Sequence, residues 1–317
     1  PEQVTLPAPK NELEDMNACG PATLAMALRF WGWEGDQYTI SDQIKPIRAD
    51  RNVNVEELKY YVDNFVPGMY AEFRVGGDLD LLRRFLADGI PVMIEESFKL
   101  DKAFIVEDDF WAGHYVLLTG YDDKTQEFIT QDSEKGANRR VAYTTTEEYW
   151  QSFNHVYILI YPPDKQNNVL NQLGAQFDVD ANRQYALDQA KAVTVSDPTN
   201  AFAWFNLGTN LMYFQRYEES VAAYDQARDL GLPKRMLRYQ FGPFISYFNM
   251  GRIDDLSALA DYALKITPNS EEALLWKGWA LYRQGNREEA LASFQKALDA
   301  HPNYGDAQYA INYVYNN

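Results

Sequence analysis

The second half of the chain repeats itself, and no other feature restricts the fold as strongly. Setting residues 201–234 against 271–304 places Gly208 over Gly278, Leu211 over Leu281, Ser220 over Ala290, Tyr224 over Phe294 and Ala227 over Ala297. A middle unit from Leu237 brings Tyr247, Gly251, Leu256, Ala260, Ala263 and Pro268 into the same phase, with two extra residues near Pro233. A weaker unit from Asn167 carries Leu173, Gly174, Phe177, Ala186, Ala190 and Pro198, and one more helix follows Gly305. Units therefore start near 167, 201, 237, 271 and 305, a spacing of 34 residues apart from the one insertion. Small residues let paired helices touch, large ones fill the gap between them, and proline ends the second helix. Such units bury their apolar faces only by stacking, so the expected architecture is an all-α solenoid.

These positions resemble the tetratricopeptide repeat family. The resemblance covers about 150 residues and implies a surface for peptides or partner proteins, with a rigid spacer as the bland alternative.

The first 160 residues follow other periods. Pro21 to Phe30, Val55 to Phe65 and Leu79 to Leu86 read as helices, Pro21 suiting a first turn. Ile90 to Glu95, Tyr115 to Thr119, Glu127 to Gln131 and Val156 to Tyr161 are rich in β-branched and aromatic residues and read as strands. Helices first and strands after indicate an α+β domain with an antiparallel sheet. Pro162 to Asn167 is the natural linker, giving domains 1–163 and 164–317.

Charge separates the halves too. Residues 1–166 hold 16 Lys/Arg against 29 Asp/Glu, a balance of −13, and residues 167–317 hold 13 against 17, or −4. A total of −17 argues against nucleic acid, which is held by clustered Lys and Arg. Peptides or proteins, with a bias toward cationic ones, are the expected partners. No apolar run approaches the roughly 18 residues of a membrane span. The chain starts at Pro1 without an initiator Met, which leaves the compartment open; a bacterial secreted or cell-surface setting, after loss of a leader, is the expectation.

One cysteine and three histidines bound the chemistry. A disulfide within the chain and a metal site of several thiolates are excluded, and neither metal nor cofactor is expected. Cys19 lies in Asn17-Ala18-Cys19-Gly20-Pro21, at the start of an apolar helix. There the helix dipole and unpaired N–H groups stabilise a thiolate and offer half of an oxyanion hole. The competing reading is a small buried hydrophobe. A nucleophile needs a base. His301 falls in a repeat turn and His155 at a strand rim, whereas His114 opens the strand Gly113-His114-Tyr115-Val116-Leu117. If the next hairpin pivots at Asp123, His114 faces Asp132 directly; one residue of slip makes them diagonal neighbours on the same face. Either arrangement lets a carboxylate orient the imidazole.

The segments Cys19-Gly-Pro-Ala-Thr-Leu-Ala-Met26, Gly113-His-Tyr-Val-Leu-Leu-Thr-Gly-Tyr-Asp122 and Gln131-Asp-Ser133 resemble, in that order, the double-glycine peptidases, papain-like enzymes that remove leader peptides from bacteriocin precursors. Residues 50–58 and 89–94 are similar to the same group. The resemblance spans residues 10–161 and implies a papain-like fold with Cys19 as nucleophile, His114 as general base and acid, and Asp132 as orienting carboxylate. That family carries a Gln five or six residues before the cysteine to complete the oxyanion hole, and here Leu13 and Glu14 stand there. A carboxylate lacks an N–H, so Glu14 and Asn17 are the oxyanion-hole candidates, Asn17 having the alternative task of capping the helix. Two readings stay open: a thiol hydrolase, or a pseudopeptidase that binds peptides or proteins.

Overall fold

The computed structural model describes residues 1–48, 53–100 and 109–317. Contacts divide the chain into two compact units, one formed by Pro1–Ile44, Val53–Lys99 and Ala112–Asp197, the other built on Pro198–Asn317. Residues 50–52 of the segment 50–58 named above lie outside the described residues.

The first unit contains β1 (Gln3–Thr5), α1 (Cys19–Phe30), α2 (Gln37–Ile44), α3 (Val55–Phe65), β2 (Tyr70–Arg74), α4 (Leu79–Ala87) and β3 (Val92–Lys99). It continues with β4 (Trp111–Asp122), β5 (Glu127–Asp132), β6 (Gly136–Ala142), α5 (Tyr143–Trp150), β7 (Tyr157–Tyr161), α6 (Gln166–Leu173) and α7 (Val179–Ser196). The strands form one sheet in the order β2-β7-β3-β4-β5-β6, with β1 added beside β4. The β1–β4, β2–β7, β3–β7, β4–β5 and β5–β6 ladders are antiparallel. This is the α+β arrangement that the order of helices and strands predicts.

Apolar content places each element. All five residues of β7 are buried, as befits a strand flanked on both sides. α1 is buried from Gly20 to Leu28, and Leu24, Met26 and Leu28 share a core with Met93, Tyr115 and Leu117 of the sheet. A second core, holding Leu82, Phe85, Ile94, Val116 and Phe128, also takes in Val169 and Leu173 of α6. α3 opens with a reciprocal cap, Asn54 N–H donating to Glu57 Oε2 at 2.7 Å. α6 and α7 follow the repeat pattern in sequence, yet their contacts are with this unit. The Asn182 side chain brackets the Val75 backbone, accepting from its N–H at 3.0 Å and donating to its carbonyl at 2.8 Å.

In the hairpin the direct pairing of His114 with Asp132 is replaced by the diagonal one. Asp132 faces Val116, so His114 lies two residues further along the same face of β4. The turn spans four residues after the last pair, Asp122 with Glu127, and Gln126 takes a left-handed φ of 56°. A bulge at Thr119 then shifts the register by one.

The second unit is helical throughout its regular elements: α8 (Ala201–Tyr213), α9 (Tyr217–Asp229), α10 (Gly242–Asn249), α11 (Ile253–Ile266), α12 (Glu271–Arg283), α13 (Arg287–Ala300) and α14 (Gly305–Asn316). Caps recur in phase, Asn200 accepting from Ala203 N–H at 3.1 Å and Ser270 from Ala273 N–H at 3.3 Å. Among the described residues no helix is long and apolar enough to cross a membrane.

Candidate active site

Cys19 is the first residue of α1. Ala18 occupies the cap position without a side-chain capping bond, and Asn17 sits in a left-handed turn at φ 53°. Asn17 therefore does not cap this helix. The helix is tied to β4 by Thr23, whose hydroxyl donates to Tyr115 O at 3.0 Å, and by the shared apolar core. That tie brings the sulfur to His114, because Tyr115 is the next residue.

His114 is 4% exposed. Its Nε2 lies 2.9 Å from Asp132 Oδ1, and the Cys19 sulfur lies within 4.8 Å of a ring nitrogen. The same Asp132 oxygen accepts from the N–H groups of Glu134 at 2.8 Å and Lys135 at 3.0 Å, in a turn that closes β5. Burial opposes a charge on the imidazole, but the bond to Asp132 and the nearby Cys19 outweigh it and hold His114 well above the ordinary histidine range. Burial likewise opposes ionisation of Asp132, and the bond from His114 with the two N–H donors brings it below the usual range. An edge-on Phe98 ring, 5.4 Å from the imidazole, completes the wall, with Lys135 Nζ 5.5 Å from the Phe98 centroid.

Glu14 faces this group. Its Oε2 accepts from Ser133 Oγ at 2.7 Å and lies 3.7 Å from His114 Nδ1. Its backbone N–H donates to Ser133 O at 2.8 Å, which fixes the segment before α1 to the end of β5. Burial raises its carboxyl above the ordinary value, partly offset by His114 and Ser133. The structure thus brings Cys19, His114, Asp132 and Glu14 together. His155 pairs with Glu147 at 2.8 Å and His301 with Glu271 at 3.3 Å, apart from them.

Three neighbours were not legible as site residues. Ser133 ends the Gln131-Asp132-Ser133 motif, and its bond to Glu14 depends on a contact across 119 positions. Glu96, on β3, is pushed up to about 7 by burial, with Asp132 raising it further while His114 and Lys135 oppose. Glu95, on the opposite face, is enclosed, and burial holds it well above the carboxylate range. The neighbouring Tyr115 donates its hydroxyl proton to Val53 O at 2.9 Å. The signal available was two acids, Glu95-Glu96, at the end of an apolar strand.

The second unit carries a half-open pocket of about 290 Å³ where the two extra residues are inserted. Phe205, Tyr224, Leu237, Tyr247 and Tyr262 line it, and Lys234 adds a cation.

Comparison with known proteins agrees with these two parts. Residues 2–158 match the Peptidase C39-like family and residues 244–305 match a tetratricopeptide repeat. Among solved structures, a C39-like peptidase from Bacillus anthracis is 18% identical, with 51% of this chain and 98% of that one covered and a TM-score of 0.40. A double-glycine-motif protease from an AMS/PCAT transporter, solved with its leader peptide, is 16% identical over 50% of this chain and 94% of its own, at a TM-score of 0.38. YrrB, a tetratricopeptide protein with an unusual peptide-binding site, is 19% identical over 47% and 72%, at 0.37. No curated protein matches the chain. Residues 2–158 are thus similar to the Peptidase C39-like family, and tetratricopeptide repeats follow.

Proposed function

We propose that the first domain is a thiol hydrolase acting on a peptide or amide, and that the repeats recognise a peptide or protein. The observation that carries this reading is the convergence on His114, with Asp132 2.9 Å from Nε2 and the Cys19 sulfur within 4.8 Å of the ring. An ionised Asp132 accepts a hydrogen bond from Nε2–H, which leaves Nδ1 to exchange a proton with the sulfur. The thiolate attacks the carbonyl, and the imidazolium protonates the departing amine. Water, deprotonated by the same ring, then cleaves the thioester. Backbone N–H groups at the start of α1 meet the developing oxyanion. The repeat pocket, apolar with Lys234 at its wall, supports recognition by that unit. The −13 balance of residues 1–166 favours cationic substrates over acidic ones.

A second reading, a pseudopeptidase that only binds, is favoured by Glu14. In its observed pose the carboxylate accepts from Ser133 and supplies no N–H to an oxyanion. An activated ester distinguishes the readings. A burst of acylation, absent in Cys19→Ala, is expected for the hydrolase, and its absence in wild type overturns hydrolysis. Glu14→Gln should raise ester turnover by about 10-fold, roughly 1.4 kcal/mol of transition-state stabilisation. An unchanged rate would mean that another donor completes the hole.

A further inference from the structure

We infer that Glu14, Cys19 and His114 form a three-ligand site for a zinc-class divalent ion. Each offers one donor atom, and a carboxylate oxygen, the sulfur and an imidazole nitrogen all lie within 4.8 Å of one another. Carboxylate, thiolate and imidazole are zinc's customary ligands, and the sulfur disfavours magnesium and calcium, which take oxygen. Tetrahedral zinc with bonds of about 2.0–2.3 Å sets its ligands roughly 3.3–3.6 Å apart. The Glu14 oxygen already stands 3.7 Å from His114 Nδ1. Closure elsewhere in the triangle needs about 1 Å, within reach of side-chain rotation.

A surrounding layer prepares the donors. Asp132, 2.9 Å from Nε2, keeps a ring proton on that side, so that once Nδ1 gives up its own proton its lone pair faces the cluster. Ser133 orients the Glu14 carboxylate with its 2.7 Å bond, while the backbone bond between residues 14 and 133 holds the two segments in register. Three protein donors leave a fourth position open, as in zinc sites that bind water or a further ligand. Glu14 makes the difference. An uncharged amide at that position is a much weaker ligand for the ion, so replacing a glutamine by a carboxylate converts a catalytic pair into a chelating triad.

Binding releases the thiol proton to solvent and ties up the sulfur lone pair and the Nδ1 lone pair. An occupied site therefore cannot attack a carbonyl. Metal binding requires no hydrolysis, so the inference stands or falls independently of the proposed activity.

The test uses the full chain, freed of metal by chelation and titrated with zinc chloride by calorimetry, with cobalt(II) as the optical probe. One equivalent should bind, and the cobalt form should show sulfur-to-metal charge-transfer absorption. Cys19→Ser should abolish that band and weaken zinc binding by 100-fold or more; Glu14→Gln should weaken it by about 10-fold or more while leaving the circular dichroism spectrum unchanged. Ser133→Ala, which spares every ligand, should weaken binding by about 10-fold. Failure to bind, or equal affinity in wild type, Cys19→Ser and Glu14→Gln, overturns the site. Hydrolysis that proceeds undiminished with a full equivalent of zinc bound overturns it as well, whereas an inert protein that binds zinc refutes the hydrolase alone.

Discussion

Glu96 shows how one side chain can make the site's neighbourhood sensitive to pH. Burial comes first among the causes that bring its carboxyl to about 7, against an ordinary value of 4.5. A carboxyl raised in the fold is one that the fold prefers protonated. Its contribution is fully present below about pH 4.5 and is lost as pH climbs through 7, because the unfolded chain ionises without the burial penalty. Glu96→Gln stays neutral throughout. The variant should match wild type in urea unfolding at pH 4.5 and exceed it by about 2 kcal/mol at pH 8, the difference growing between those limits. A gap that ignores pH would mean that Glu96 is solvated. This is also the scale at which the sequence reveals least. Cys19 and His114 stand out because the chain has so few residues of either type. Glu96, Ser133 and Tyr115 carry no such mark, since their roles arise from burial and from contacts between distant segments.

At the level of elements the hydrophobic period does most of the predicting. α3 is found at Val55–Phe65 as expected, because its cap and its apolar spacing coincide. β6 escapes detection because it lies at the edge of the sheet, where Asn138, Arg139 and Arg140 are exposed and no buried face imposes alternation. α5 is disguised by three consecutive threonines, a strand-like composition that its packing overrides. The hairpin shift came from a turn longer than expected and a bulge, features that alternation alone does not encode. Within the repeats, side-chain size is matched between paired helices. A Cβ added at Gly278 would lie 2.3 Å from the Phe294 ring, and one at Gly208 2.8 Å from Tyr224. The middle repeat reverses the sizes, with Phe244 at the glycine phase and Ala260 at the aromatic phase, both fully buried. Gly278→Ala should therefore cost about 1–3 kcal/mol by overpacking, and Phe294→Ala about 3–5 by leaving a cavity. The double exchange Gly278→Phe with Phe294→Ala imitates the middle repeat and should recover at least half of the Phe294→Ala loss in urea unfolding. A double variant no more stable than Phe294→Ala alone would show that the two positions do not exchange volume.

For the whole molecule the central question is where the first domain ends. The sequence suggests a break at the prolines 162 and 163, since repeat-like spacing resumes at Asn167. Packing groups the whole stretch Ala112–Asp197 with the first unit, and the side chains explain why. Val169 and Leu173 are buried in the core that holds Phe85 and Leu82. Arg74, 4% exposed, donates from Nε to Gln176 O at 2.9 Å and also to Phe177 O, beside the bracket that Asn182 makes on Val75. Removing residues after 166 strips these partners from a buried guanidinium and a buried strand end. Arg74 keeps Glu72 at 2.9 Å but loses hydrogen bonds worth about 1.5–3 kcal/mol each, and the apolar contacts of α6 are lost as well. Against a total stability of about 5–15 kcal/mol, that loss consumes much of the margin. A chain ending at residue 197 should thus unfold in one cooperative transition close to that of the first unit in the full protein. A chain ending at 166 should unfold at markedly lower urea or aggregate on expression. Restoring residues 167–197 in trans should rescue neither solubility nor unfolding midpoint fully, because α6 enters a core rather than a surface groove. If the 1–166 chain proves as stable as 1–197, the contacts at Arg74 and Val75 contribute little. The repeat boundary written in the sequence would then be the folding boundary too.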